Sequence, residues 1–242
     1  MSDLMKKFKE IYLKAQFEPG IIGLLSNPAY FSRKDIYNCI LEFSDHINGK
    51  ILDVGCGKKP YRKLFKSTDY KGLELDSPNN RSFSYADFFY DGQTFPFNDE
   101  EFDSIISNQV LEHVDNPEIF LKEINRVLKK GGRLLISAPF IWSEHEQPND
   151  FLRFSSFGIK KLLEEKGFFL LKHKKTVNDV RAGFLVLIMY IIEIFSSKNA
   201  YLNLIINFIT IAPLNIVGEA LAMLTPKTNA LYFDNIILAI KK

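Results

Sequence analysis

The chain has 242 residues, 46% of them hydrophobic, enough to bury a sizeable core as one domain, with or without an appendage. Thirty-one basic against 29 acidic residues leave a net charge of +2, so no global field favours nucleic acid and no such partner is expected. Two cysteines, Cys39 and Cys56, give no disulfide framework, and the opening MSDLMKKFKEIYLK lacks the apolar core of a signal peptide; reduced thiols and a cytoplasmic location are expected.

In chain order, residues 1–33 are basic and aromatic, broken at Pro19-Gly20 and Asn27-Pro28, and open a helical cap expected to run to residue 48. Ser32 suits the N-cap of a helix over 33–43, with Ile36, Ile40 and Phe43 on one face. The run KILDVGCGKKPYRKLFKSTDYKGLELD, Lys50 to Asp76, then organises everything after it. Its apolar strand breaks at Gly55-Cys56-Gly57, a helix-prone basic segment follows, and a second strand ends at Glu74-Leu75-Asp76. These are the parts of half a nucleotide-binding βαβ unit. Glu74, at the carboxyl end of the second strand, has two oxygens to offer the hydroxyls of a ribose. A dinucleotide fingerprint needs a third glycine, and here Lys58, Lys59, Pro60 and Tyr61 follow Gly57. Pro60 also removes an N–H donor that a phosphate would use. A nucleoside without phosphates fits better, and S-adenosylmethionine is one; a nicotinamide oxidoreductase fits worse.

Residues 83–86 read as a third strand, with Asp87 and Phe88 after it. A turn at 96–101 precedes a fourth strand over 102–107, which opens onto Asn108, Gln109, Glu112 and His113. Ligands of open parallel sheets lie at the carboxyl ends of the strands, so Asn108 and Gln109 are expected to line the cofactor's methionine end. Glu112 and His113 read as a capping or packing pair at the start of the next helix. That helix runs from Asn116-Pro117 through Leu128, with Ile119, Phe120, Ile124 and Leu128 on its buried side and Gly131-Gly132 as its stop. A fifth strand covers 133–138.

These residues carry a resemblance. LDVGCG, GLELD, FDSIISNQVLEHV and RVLKKGGRLLISAPF, in that order between Lys50 and Val177, resemble the class I S-adenosylmethionine-dependent methyltransferases, especially the methyltransferase type 11 group. The resemblance implies an α/β, Rossmann-like, seven-stranded and mostly parallel sheet with an antiparallel last strand and helices on both faces. It implies S-adenosylmethionine as cofactor, with Asp53, Gly55, Cys56, Gly57, Glu74 and Asp76 around it. Asp87 would meet the adenine amino group, with Phe88 as a stacking face. Asp53 would act indirectly, through the glycine loop or a water. Tyr30 and Arg33 could reach the cofactor's carboxylate, although a surface role is the simpler reading. The departure is Lys59, where the family often has a third glycine.

Residues 139–154 form a loop that resembles the P-F-x-x-x-x-H-E-x-P-x-D-F-x-R-F stretch of a subset of these enzymes. It overhangs the place where a transferable methyl would point. His145 is the candidate general base or acceptor-orienting group, while Asp150 and Arg153 read as an ion pair holding the loop. No H-x-x-x-H spacing and no nearby second histidine accompany His145, so no metal is expected. Ser155-Ser156 cap a helix over 157–166, and a sixth strand covers 168–176.

From Gly183 to Leu224 two apolar stretches are interrupted by Glu193, Asn203, Asn207, Pro213, Asn215 and Glu219. Neither is a clean run of the roughly 20 apolar residues of a spanning helix. They read as helices with one wet side: a cover over the acceptor pocket, a peripheral membrane contact, or a dimer interface. The last strand is expected over 235–240. The expected organisation is one methyltransferase domain, with a cap at 1–48, a cofactor-binding core at 49–177, an apolar helical insertion at 178–228 and the last strand at 229–242. The expected activity is methyl transfer to a small-molecule, lipid- or sugar-linked acceptor by a monomer or dimer. The alternative is a non-catalytic cofactor-binding protein that is peripheral to a membrane or part of a complex.

Overall fold

A computed structural model describes residues 14–197 and 199–242. Its strands are β1 (Asn48–Val54), β2 (Lys66–Leu75), β3 (Phe88–Tyr90), β4 (Phe102–Asn108), β5 (Leu128–Pro139), β6 (Phe168–Lys175) and β7 (Asp234–Lys241). They form one seven-stranded sheet in the order β3-β2-β1-β4-β5-β7-β6. β1 runs parallel to β2 and to β4, and β7 runs antiparallel to β5 with Ile136 opposite Ile237. The α/β sheet with an antiparallel last strand is thus the expected one. Ile51, Leu52, Val54, Ile105, Leu134 and Ile136 are all buried, as strands covered on both faces require. The order of strands reverses between β1 and β4, so their carboxyl ends flank the crevice where open α/β sheets bind ligands.

The helices are α1 (Ile21–Ser26), α2 (Tyr30–Phe43), α3 (Pro78–Phe83), α4 (Pro117–Val127), α5 (Ser156–Glu165), α6 (Arg181–Phe195), α7 (Ala200–Ile206) and α8 (Ala212–Ala222). Several boundaries differ from the sequence reading. α2 begins at Tyr30 because the Asn27 side chain takes the Ala29 N–H at 2.9 Å, which leaves Ser32 buried inside the helix rather than capping it. The helix expected after the glycine turn is only a 3-10 turn at Arg62–Leu64, preceded by Lys59 at φ +53°. The third strand lies at Phe88–Tyr90, not 83–86, because Ser77 caps α3 by accepting the Asn80 N–H at 3.1 Å. α4 keeps Phe120 and Ile124 buried, but Ile119 is exposed and Leu128 already belongs to β5. Gly131 and Gly132 therefore lie inside a strand; the register slips between Phe102 and Ser104, opposite this stretch.

Two compact units divide the chain. One comprises the described residues up to Asn38 with Lys175–Phe233; the other comprises Cys39–Lys174 with Asp234–Lys242. The second is the sheet unit, whose core gathers Leu52, Phe102, Phe120, Ile136, Phe168 and Ile237.

The first is helical, and its polarity is partly inverted. Asn207 and Asn215 are buried, and their amides donate to the Ser26, Leu24 and Asn27 carbonyls around α1. Arg181 is buried against Asp179 at 2.7 Å and Asp35 at 3.1 Å, with Glu219 at 3.4 Å. Meanwhile Tyr190, Phe195, Phe208, Ile209, Met223 and Leu224 are exposed. The wet side expected for Asn207 and Asn215 is thus corrected: they turn inward to satisfy backbone carbonyls that a bare apolar face would leave unpaired. The broken apolar stretch is also continuous. A π turn at Asn207–Ile211 links α7 to α8, and Leu202–Ala222 is 21 residues long with mean hydropathy 1.7, enough by length and composition to cross a membrane. Pro213 does not break it: it stands directly after the π turn, in the first turn of α8.

Packing in the helical unit is tight at Gly218, where an added Cβ would lie 2.6 Å from Cζ of the fully buried Phe31. Gly218→Ala is expected to lower stability by about 1–3 kcal/mol through this overpacking. Urea unfolding monitored by circular dichroism checks it; an unchanged midpoint would mean that the two helices part freely.

Candidate active site

Asp53 and the glycine turn come from the carboxyl end of β1. Asp53 is buried, and its carboxylate accepts the Tyr70 hydroxyl at 2.7 Å. Burial pushes its pKa up to about 7, against the pull of the Tyr70 hydrogen bond. Gly55 stands at φ +72°, donates its N–H to the Leu73 carbonyl at 2.9 Å, and would place a Cβ 2.2 Å from Cγ2 of Val110. No side chain fits there. Gly57, at φ +48°, has open space where a Cβ would be, and its N–H donates to Oε1 of Glu74 at 2.6 Å. Glu74, at the end of β2, is raised above the usual carboxylate range by burial, with the Gly57 N–H opposing. One carboxylate oxygen thus braces the turn, next to bare backbone.

The other expected cofactor residues are placed less uniformly. The Cys56 thiol packs inward, where a Cβ on Gly72 would lie 2.6 Å from its sulfur, and burial pushes its pKa up. It therefore fills space behind the turn. Asp76 forms a bidentate pair with Arg81 at 2.6 and 2.7 Å on the surface. Asp87 accepts the Lys59 ammonium at 2.5 Å and the Gly72 N–H at 2.7 Å; burial opposes them, yet its pKa stays lowered. Lys59, standing where a third glycine was missing, thus ties the turn to the Asp87 side. Phe88 is half-buried, edge-on to Phe97 at 4.9 Å, with the Lys71 ammonium 5.2 Å from its ring. Asn108 accepts the Ser137 hydroxyl at 2.7 Å, and Gln109, at φ +56°, donates its N–H to the Ser137 carbonyl at 3.2 Å. Asp53, Gly55, Gly57 and Glu74 therefore form one assembly across β1 and β2, with Asn108 and Gln109 at the neighbouring strand end.

A second assembly lies beyond β4 and β5. Asp150 accepts the His145 N–H at 2.9 Å and both terminal nitrogens of Arg153 at 2.6 and 2.7 Å, and these Arg153 bonds hold its carboxyl well below the usual range. The expected Asp150–Arg153 pair is present. Nδ1 of His145 lies 3.2 Å from the Ser143 carbonyl and 3.3 Å from Asp150. The loop is stitched to β4's exit, since the Phe151 and Leu152 N–H groups donate to the Glu112 carbonyl. Glu112 is fully buried, and both its side-chain oxygens lack a hydrogen-bond partner. Burial pushes its carboxyl up to about 8.

Two expectations fail here. Glu112 and His113 do not open the next helix; they form a 3-10 turn, and Asn116 caps α4 instead, accepting the Ile119 N–H at 3.1 Å. Nor does His145 lack a histidine neighbour, because the His113 ring meets its ring edge-on at a centroid distance of 4.6 Å. The clue was topological. The two histidines follow the carboxyl ends of adjacent parallel strands, where Asn108 is paired with Ser137.

Comparison with known proteins adds a partial family match. Residues 52–136 match the family model described as a methyltransferase domain. An uncharacterized protein of Methanocaldococcus jannaschii is 34% identical over 97 residues, covering 36% of this chain and 47% of that protein. The mitochondrial ubiquinone biosynthesis O-methyltransferase of Dictyostelium discoideum is 36% identical over 88 residues, covering 36% of this chain and 27% of its own length. The chain thus spans under half the length of these curated relatives. An S-adenosylmethionine-dependent methyltransferase structure from Thermotoga maritima shares the fold with a TM-score of 0.51 at 17% identity, covering 98% of this chain and 96% of that one.

The Asp53 environment makes a pH prediction. Its folded-state pKa, raised from 3.8 to about 7, favours the protonated carboxyl, so its stabilising contribution is complete below pH 3.8 and is lost as pH rises through about 7. Asp53→Asn keeps an acceptor for Tyr70 but cannot ionise. Without cofactor, wild type should lose up to roughly 4 kcal/mol relative to the variant across that window. Urea midpoints of both proteins at either end check this; parallel pH profiles would refute it.

Proposed function

We propose that this chain, whose residues 52–136 match the methyltransferase domain family model, transfers the methyl group of S-adenosylmethionine to a small-molecule, lipid- or sugar-linked acceptor. The observation that carries this reading is Glu74 accepting the Gly57 N–H beside a turn with no room for a Cβ at Gly55 and open space at Gly57. Such a cradle fits an adenosine lying on bare backbone with its ribose at Glu74. Gly55, Gly57 and Glu74 would hold the nucleoside, Asp87 would stand on the adenine side, and Asp53 with Asn108 and Gln109 would flank the methionine end. When bound, the cofactor supplies a sulfonium-activated methyl group, so the protein's task is alignment and exclusion of water.

His145 is the acceptor-side group in this reading. A carbonyl oxygen can only accept, so a hydrogen bond to Ser143 makes Nδ1 the protonated nitrogen and leaves the Nε2 lone pair free to orient an acceptor or receive its proton. Oxygen is the favoured acceptor atom, in keeping with the O-methyltransferase name of the Dictyostelium relative.

A lipid contact is the companion proposal, favoured by the inverted polarity of the helical unit. Its buried Asn207, Asn215 and Arg181, set against exposed Phe208, Ile209, Met223 and Leu224, suit an apolar surrounding better than water.

Calorimetric titration with S-adenosylhomocysteine should give saturable binding in the wild type and at least tenfold weaker binding in Glu74→Ala, a difference of about 1.4 kcal/mol or more. Absence of heat and of thermal stabilisation in the wild type would turn the reading toward a protein that has lost the cofactor. The protein should float with anionic liposomes; no shift would remove the lipid contact.

A further inference from the structure

We propose that Glu112, His113 and His145 hold a divalent first-row transition-metal ion at the acceptor end of the site. One ligand atom from each lies within 4.8 Å of the other two, and Nε2 of His113 is 3.9 Å from Oε1 of Glu112. Ligands on a tetrahedral ion with bonds near 2.0–2.1 Å lie ~3.3 Å apart, so the three atoms stand within about 1.5 Å of that spacing.

Three features distinguish the cluster from an ordinary polar contact. The Glu112 carboxylate is fully buried with both oxygens unpartnered, an arrangement that folded proteins rarely tolerate without an ion or water. Nδ1 of His113 lies 2.7 Å from the Asn149 carbonyl, as Nδ1 of His145 lies near the Ser143 carbonyl and Asp150. Both rings must donate there, so both present an Nε2 lone pair, oriented in the way that outer hydrogen bonds orient metal-bound imidazoles. Finally, the loop carrying His145 is pinned by Asp150 and Arg153 and by bonds to the Glu112 backbone, so the third ligand is preorganised. Two imidazoles and one carboxylate suit zinc, manganese or iron rather than magnesium or calcium. Three protein ligands leave a position open to solvent or to an acceptor oxygen. The assignment of that position to the acceptor rests on the methyl-transfer reading, and with the ion bound it is the ion, in place of the Nε2 lone pair of His145, that meets the acceptor; binding of the ion does not rest on that reading.

The test is calorimetric titration of the full chain with Zn²⁺, with Mg²⁺ for comparison, on wild type, Glu112→Gln, His145→Ala and the surface control His46→Ala. The expected result is one Zn²⁺ per chain, with Mg²⁺ much weaker. Affinity should fall at least tenfold in the first two variants and be unchanged in His46→Ala. Each protein is also titrated with S-adenosylhomocysteine, so that retained nucleoside binding certifies the fold of a variant that has lost zinc. Ring ¹⁵N spectra of the wild type give a reading that needs no variant: zinc should shift Nε2 of His113 and His145 among the four histidines. No saturable zinc binding, wild-type zinc affinity in Glu112→Gln and His145→Ala, or shifts at other histidines would overturn the proposal. Loss of zinc binding with nucleoside binding intact would sink the metal site alone if seen in the wild type. Zinc binding without nucleoside binding would sink the methyl-transfer reading and leave the ion.

Discussion

The site depends on one close approach, between the backbone of Gly55 and the side chain of Val110. A methyl group on Gly55 would occupy the same volume as the valine, so the end of β1 and the exit of β4 meet only while that position carries a hydrogen atom. The contact fixes more than two residues. With Gly55 in place, its N–H reaches the Leu73 carbonyl and the next glycine reaches Glu74, which aligns the end of β2 with the turn. On the other flank Val110 follows Gln109, whose left-handed backbone is held by two bonds to Ser137 on β5. Strain in that peptide is offset by hydrogen bonds to its neighbour, and three strand ends are brought into one arrangement.

The two units solve the burial problem differently. The sheet unit keeps an apolar core, and several of its buried polar groups lie at or just beyond strand ends, among them Asp53, Glu112, Asp234 and Asn235. The helical unit instead buries a charged network in which Arg181 joins residues from α2, the start of α6 and α8. Such a network is geometrically specific, because a guanidinium satisfies two carboxylates only at defined angles, whereas removing one partner leaves a costly buried charge. Its outer surface can then be apolar without the unit losing a unique interior.

Much of this was legible in the sequence. β1, β4 and β5 stand out because strands buried on both faces must be apolar at nearly every position, and the glycine turn with Glu74 at fixed spacing marks the proposed nucleoside cradle. The misread elements have a common cause, which is that side chains rather than periodicity set them. Ser77 caps a helix where a strand was expected, Asn27 ties down the chain just ahead of a helix that starts earlier than expected, and Pro60 with Lys59 left only a single turn where a helix was expected. The direction of Asn207 and Asn215 was hidden for a related reason. Polar residues on a helix signal a wet face unless carbonyl groups await them inside, and those carbonyls belong to α1, 181 and 191 residues earlier in the chain. His113 escaped notice beside His145 because only the strand register, and no sequence spacing, joins them.

The position of β7 bears on how the protein is made. A ribosome delivers β5 and β6 well before Asp234–Lys241, the strand that lies between them. Until it arrives, the nascent chain holds a half-finished sheet in which the edge of β5, with Leu134 and Ile136, offers unpaired peptide groups to any passing strand. Closure of the sheet is thus a late event in synthesis. The cell's exposure to misassembly of this protein is set by the time the ribosome spends on the residues between β6 and β7, whose codons act as a timer on an open edge.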